Sequence, residues 1–258
     1  MLAGCREDRC SISVDVILRD MSDERGGSVP FQVRATDGEF YWVKQIDNRQ
    51  SSRVPTTEQV IAGCGQLIGA PVREVQLIQI PAELDGDRLS CGTELRQGIA
   101  HASLNLESAT FEKTWGPENR SRDDNRRRHA AYFGFFDWCW GEDRQWLYDA
   151  TDDLKTYSHD HGHFLPGAPD WTIESLLNHV EIAHSLDSSP EGLDYNELGR
   201  VADRLQNLTR TELKEILCRI PVSWPTTDKE LEVLGFFLDT RRELVAKRIR
   251  QLAATLAR

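Results

Sequence analysis

Residues 133–164 read FGFFDWCWGEDRQWLYDATDDLKTYSHDHGHF, a polar segment set between apolar walls. An aromatic run (Phe133, Phe135, Phe136, Trp138, Trp140) breaks at Gly141 into the charged turn Glu142-Asp143-Arg144. Asp160 follows seventeen residues after Asp143, inside His159-Asp160-His161-Gly162-His163. Two acidic positions therefore bracket a hairpin. A carboxylate in a loop behind an aromatic helix can take a proton from a hydroxyl, and a second beside a glycine can hold a divalent cation through hard oxygens. The segment has the make-up of an active site.

Upstream, Ile12, Val14, Val16 and Leu18 alternate at the period of a half-buried strand. Phe31–Val33 resumes strand character before the turn Asp37-Gly38, and residues 40–46 form the partner strand, giving a three-strand antiparallel meander that carries Lys44. Pro55 opens a helix that runs to Gly69 with Glu58 in its first turn. Residues 72–80 are a further strand ended by Pro81, and residues 82–88 an exposed connector. Beyond it helices take over, expected at 123–140, 172–186, 194–206, 210–219 and 227–256. Their entries are Asp194, Thr209 with Glu212, and Thr226 near Glu230.

At 39% hydrophobic and 28% charged residues the composition is that of a globular chain, and no apolar window approaches the roughly 20 residues of a membrane span. The first residues lack the apolar stretch of a signal peptide. Six scattered cysteines without Cys-x-x-Cys pairs read as reduced thiols, which places the protein in the cytoplasm. A formal net charge of −11 argues against a nucleic-acid surface. No membrane partner is expected.

The order strand, strand, strand with Lys, helix with Glu, strand, connector resembles the small lobe of a protein kinase. With Tyr41-Trp42-Val43-Lys44, Glu58, the exit Leu67-Ile68-Gly69-Ala70-Pro71-Val72, Asp143-Arg144 and Ser158–His163, the chain resembles the HipA-like serine/threonine kinases, especially their short bacterial branch. The resemblance implies an α+β, bilobal kinase-like fold: a small antiparallel-sheet lobe with one helix over residues 1–84, and a mainly helical lobe over 85–258. It implies ATP and Mg²⁺ as cofactors and an unidentified protein as substrate. Lys44 would reach the phosphates and Glu58 would hold Lys44; Asp143 would act as base and Asp160 as metal ligand. Gly26-Gly27-Ser28 would cover the phosphates, and Glu83 would sit in the hinge that meets adenine.

One position departs from the pattern. Five residues after the catalytic Asp such kinases carry a metal-binding Asn, and Tyr148 stands there instead. Gln145, Asp149 and His161 are the candidate substitutes, with Gln145 the expected second metal ligand. Zinc at the three histidines is set aside in favour of the hard-cation reading. The leading function is ATP-dependent phosphoryl transfer to serine or threonine of a protein, including the chain itself. The alternatives are a pseudokinase that senses nucleotide or binds a partner, and a small-molecule kinase of the same fold.

Overall fold

The computed structural model describes residues 2, 4–20, 27–112, 119–143 and 145–257. Strands β1 (Ile12–Asp20), β2 (Phe31–Ala35) and β3 (Phe40–Lys44) form the expected meander, with Phe31↔Val43 and Val33↔Tyr41 in register. The turn falls at Asp37-Gly38, where Gly38 adopts φ 89° and Asp37 Oδ1 accepts from Glu39 N at 3.0 Å. The sheet is not purely antiparallel. Strand β1 also pairs in parallel with β4 (Val75–Ile80), and β5 (Gly98–Leu104) bridges β3 and β4, so the order β1-β2-β3-β5-β4 closes a barrel. Closure removes the edges that an open five-stranded sheet would expose. Its interior is filled by Phe31, Val33, Val43, Ile78 and Ala100.

The regular alternation read for β1 fails beyond Val14. Register shifts between Val14 and Val16 and between Ile17 and Arg19 bend the strand, leaving Val14 buried while Val16 and Leu18 are exposed. Nor does the barrel stop at residue 84. Strand β5 lies beyond it, and the chain leaves the barrel through residues 105–108 to reach β6 (Ala109–Glu112). The connector expected at 82–88 is thus part of the link between β4 and β5, beginning with a single helical turn at Ala82–Leu84.

Helix α1 (Val54–Ile68) ends as expected at Gly69, in the left-handed conformation. Glu58 lies beyond its first turn. Helix α2 (Asn125–Cys139) carries the aromatic run into the main core, where Tyr132, Phe135, Phe136 and Trp138 are fully buried. It packs on α4 (Tyr195–Asn207) and α6 (Asp228–Leu256). A buried network fixes α2 to α6: Asp137 is paired with Arg241 at 3.0 Å and with Arg248 at 2.7 Å. Strands β7 (Gln145–Asp149) and β8 (Lys155–His159) are the hairpin that the two acids bracket, and β6 extends them to a three-stranded sheet.

Two helix readings need correction. The amphipathic segment 172–186 is helical only over α3 (Ile173–His179), capped by Thr172. Helix α6 is capped by Thr227 rather than Thr226, in a reciprocal box with Glu230. The caps at Asp194, and at Thr209 with Glu212 for α5 (Arg210–Cys218), are as read.

Nor are all six cysteines thiols, because Cys5 and Cys218 form a disulfide across 213 residues of sequence. Spacing could not reveal it. The N-terminal segment crosses back onto the end of α5, where Arg6 donates to the carbonyls of Ile220 and Pro221. The bond withdraws the thiol argument for a cytoplasmic location. No helix among the described residues is long and apolar enough to cross a membrane.

Candidate active site

Gly141 lets the chain turn from α2 into the Asp143 loop, since a Cβ there would lie 2.3 Å from the Phe136 ring and 2.8 Å from that of Phe164. The aromatic packing thereby fixes where the polar loop begins. Asp143 is exposed at its tip. Two residues later Gln145, at the start of β7, directs Nε2 to Asp143 Oδ2 at 3.0 Å and to Asp160 Oδ2 at 3.1 Å.

Asp160 follows β8 with φ 55° and ψ 62°. A residue with a side chain holds this left-handed conformation only where its surroundings over-determine it, at a cost of roughly 1–3 kcal/mol. Here its carboxylate is paired with Lys44, and the next two backbone amides are held by Glu58. Glu58 Oε2 accepts from His161 N at 2.9 Å and Oε1 from Gly162 N at 3.1 Å. Oε1 also lies 2.5 Å from Lys44 Nζ. One helix carboxylate therefore fixes both the strand lysine and the turn after Asp160.

Burial alone would lower the Lys44 pKa, but Asp160 and Glu58 carry it above its ordinary value. Burial is the largest influence on Asp160 and Glu58 and works against their ionised forms, but the Lys44 ammonium together with the neighbouring histidines and, at Asp160, hydrogen bonds holds each carboxyl below its usual range. At neutral pH the cluster is one cation between two anions, with the Asp143 carboxylate joined to it through Gln145.

The substitutes for the missing Asn separate cleanly. Asp149 is at the far end of β7, bonded to Thr151 N at 2.9 Å in the hairpin turn. His161 faces Ser158 Oγ, 3.0 Å from its Nε2. Only Gln145, of the three, touches both acids. Tyr148 is 2% exposed and falls with Trp146 on the opposite face of β7 from Gln145. Trp146 there stacks on Tyr132 and His129.

Gly26 lies outside the described residues. Gly27 sits against Gln50, whose Nε2 a Cβ at Gly27 would approach to 2.3 Å, and that nitrogen is 2.8 Å from His163 Nε2. The β1–β2 turn is thus tied to the segment after Asp160. Ser28 is buried, and its carbonyl accepts from Asn48 at 2.8 Å. Glu83 is exposed in the helical turn after β4, within the barrel rather than on its link to the second sheet, and so is not in the connector where it was expected. The sequence reading missed Gln50, which no motif marks, and buried His101, whose Nδ1 is 3.0 Å from Gln59 Oε1. A histidine within the small-residue stretch Gly98–Leu104 was the available signal.

Among the described residues no three His, Cys, Asp or Glu side chains converge as a ready-made metal cage. The Asp160 carboxylate and the Gln145 amide suit a Mg²⁺ that keeps waters and takes its remaining oxygens from phosphates. A half-turn of the Gln145 amide would present its oxygen.

The sequence pattern of HipA-like kinases matches residues 14–161, which include Lys44, Glu58, Asp143, Gln145 and Asp160. The chain belongs to the HipA-like kinase family. No curated protein matches its sequence. Among solved structures it is similar to the Helicobacter pylori proinflammatory kinase CtkA, at 12% identity and TM-score 0.62, over 95% of this chain and 99% of that one. At that identity the likeness speaks for a shared kinase fold alone. A Golgi casein kinase with Mn and ADP bound aligns at 9% identity and TM-score 0.42, over 95% of this chain and 75% of that one, too slight a likeness to build on. In this HipA-like kinase the matched region ends at His161, so α3–α6 lie outside it.

Proposed function

We propose that the protein transfers the γ-phosphoryl group of ATP to a serine or threonine hydroxyl of a protein, its own hydroxyls included, in a cleft between a barrel lobe and a helical lobe. The observation that carries this reading is the unbroken line of contacts Glu58–Lys44–Asp160–Gln145–Asp143. Phosphoryl transfer asks a protein for positioning and charge neutralisation more than for covalent chemistry, and this line supplies both.

Lys44 exchanges Asp160 for phosphate oxygens when nucleotide enters, while Glu58 keeps the ammonium in place. Asp160 and Gln145 are the residues that would hold Mg²⁺. ATP with Mg²⁺ supplies an activated phosphoryl group whose growing negative charge the metal shares. Asp143 orients the acceptor hydroxyl and takes its proton. Gly27 and Ser28, with Gly26, cover the phosphates, and residues 105–108 rather than Glu83 meet the adenine edge, since there the chain leaves the barrel.

Buried Tyr148 in place of an Asn favours a second reading, a pseudokinase that binds nucleotide without transferring phosphate. Intact-mass measurement after incubation with ATP and Mg²⁺, alone and with cell extract, separates the two. A gain of one phosphate on the protein or on an extract protein, lost in Asp143→Asn, supports transfer. Nucleotide binding without any gain supports the pseudokinase.

A further inference from the structure

A cavity of about 490 Å³ lies between α1, β4 and the start of β1, and none of Lys44, Glu58, Asp143 and Asp160 lines it. Its walls include Arg9, Gln59, Gln66, Glu74 and Arg219, two basic residues to one acidic. Glu74 already accepts from Gln76 at 3.2 Å, and Arg9 is paired with Glu7. Arg219 has no side-chain partner among the described residues. The Cys5–Cys218 disulfide ties together the two segments that carry Arg9 and Arg219.

Gln59 supplies an independent sign. It is 7% exposed, and its Oε1 is 3.0 Å from His101 Nδ1. Its amide nitrogen has no protein partner among the described residues and is left for the cavity the side chain lines. An amide donor without a protein partner, on a wall shared with two arginines, suits an occupant with acceptor oxygens.

We propose that this cavity binds a small molecule carrying an oxyanion, phosphate or carboxylate, between Arg219 and Arg9, with a further oxygen accepting from the Gln59 amide. The site has a route to the Lys44 cluster. Gln59 follows Glu58 in α1, and its partner His101 is the residue opposite Lys44 in the β3–β5 ladder. An occupant that orients Gln59 therefore acts on both halves of the Lys44–Glu58 pair, and nucleotide must change its affinity by the same factor. This coupling rests on the kinase reading, whereas the binding does not.

Calorimetric titration of the full chain with inorganic phosphate, and separately with malonate, tests the binding without nucleotide. Saturable binding of either probe, weakened about tenfold or more in Arg219→Ala by loss of a charge-assisted contact, is the expected result. Phosphate alone or malonate alone names the oxyanion. No binding by either, or equal binding in Arg219→Ala, overturns the site. ATP affinity is then measured with and without the probe that binds. A shift in wild type that is absent in Arg219→Ala is expected, and an unchanged affinity overturns the coupling. Failure of ATP to bind at all counts against the kinase reading and leaves the probe titration standing.

Discussion

One amide nitrogen of Gln145 stands 3.0 Å from Asp143 Oδ2 and 3.1 Å from Asp160 Oδ2, joining the acid at the loop tip to the acid beside Lys44. Gln145→Ala should cut single-turnover phosphoryl transfer by roughly 10- to 100-fold, the usual cost of removing a group that orients a metal site. The fold should be little changed, because the residue lies at the edge of β7. Unaltered transfer would remove Gln145 from the site.

Tyr148 gives the complementary test. It faces the core from β7, so Tyr148→Asn does not place an amide beside Asp160. The substitution should destabilise the protein by about 3 kcal/mol through the cavity it opens, with no gain in transfer. Denaturant unfolding and single-turnover kinetics on the same samples check both halves. A gain in transfer would show that the residue reaches the site.

Much of this arrangement was legible because it rests on local patterns. The Asp37-Gly38 turn, the Pro55-to-Gly69 helix and the aromatic run before Gly141 each announce themselves within a few residues. What could not be read depends on long-range pairing. Strand β5 is built around His101 and small residues without strand alternation, and only closure against β3 and β4 defines it. Without β5, the link between barrel and helices was placed one strand early, at Glu83. The β1 alternation misled for a related reason, since bulges set by pairing with β2 override the local period. The Gln145 bridge was legible as a residue type near Asp143, while its contact with Asp160 depends on the hairpin register that pairs Gln145 with His159.

Glu58 satisfies Lys44 and two backbone amides at once, in a place where it is 3% exposed. Glu58→Ala should therefore cost about 3 kcal/mol in unfolding free energy, the low end of the range for removing one partner of a buried ion pair, because Asp160 still faces Lys44 while two backbone amides lose their acceptor. Equilibrium denaturation measures it. A loss below about 1 kcal/mol, the scale of a surface ion pair, would contradict the buried geometry.

Acid should weaken the fold in a defined window. Burial pushes His101 and His161 down to about 4, with Glu58 pulling each up only in part and Lys44 pushing each down. In the unfolded chain both titrate near about 6.5, so between those values the unfolded state binds more protons and stability rises with pH. On acidification the loss begins near pH 6.5 and continues to about pH 4, at up to about 1.4 kcal/mol per pH unit for each histidine. His101→Gln should flatten the slope of unfolding free energy against pH across that window. An unchanged slope would show that His101 is not held neutral.

The account stands most directly on the separate duties of the two acids, and calorimetric titration with ATP and Mg²⁺ reads them apart. A metal ligand contributes to the bound state, whereas a base acts on the reacting hydroxyl. Asp160→Asn should lose most Mg²⁺-dependent nucleotide binding, while Asp143→Asn should bind like the wild type and transfer nothing. Equal loss of binding in both variants, or full binding in Asp160→Asn, would contradict the assignment of Asp160 to the metal and Asp143 to the proton.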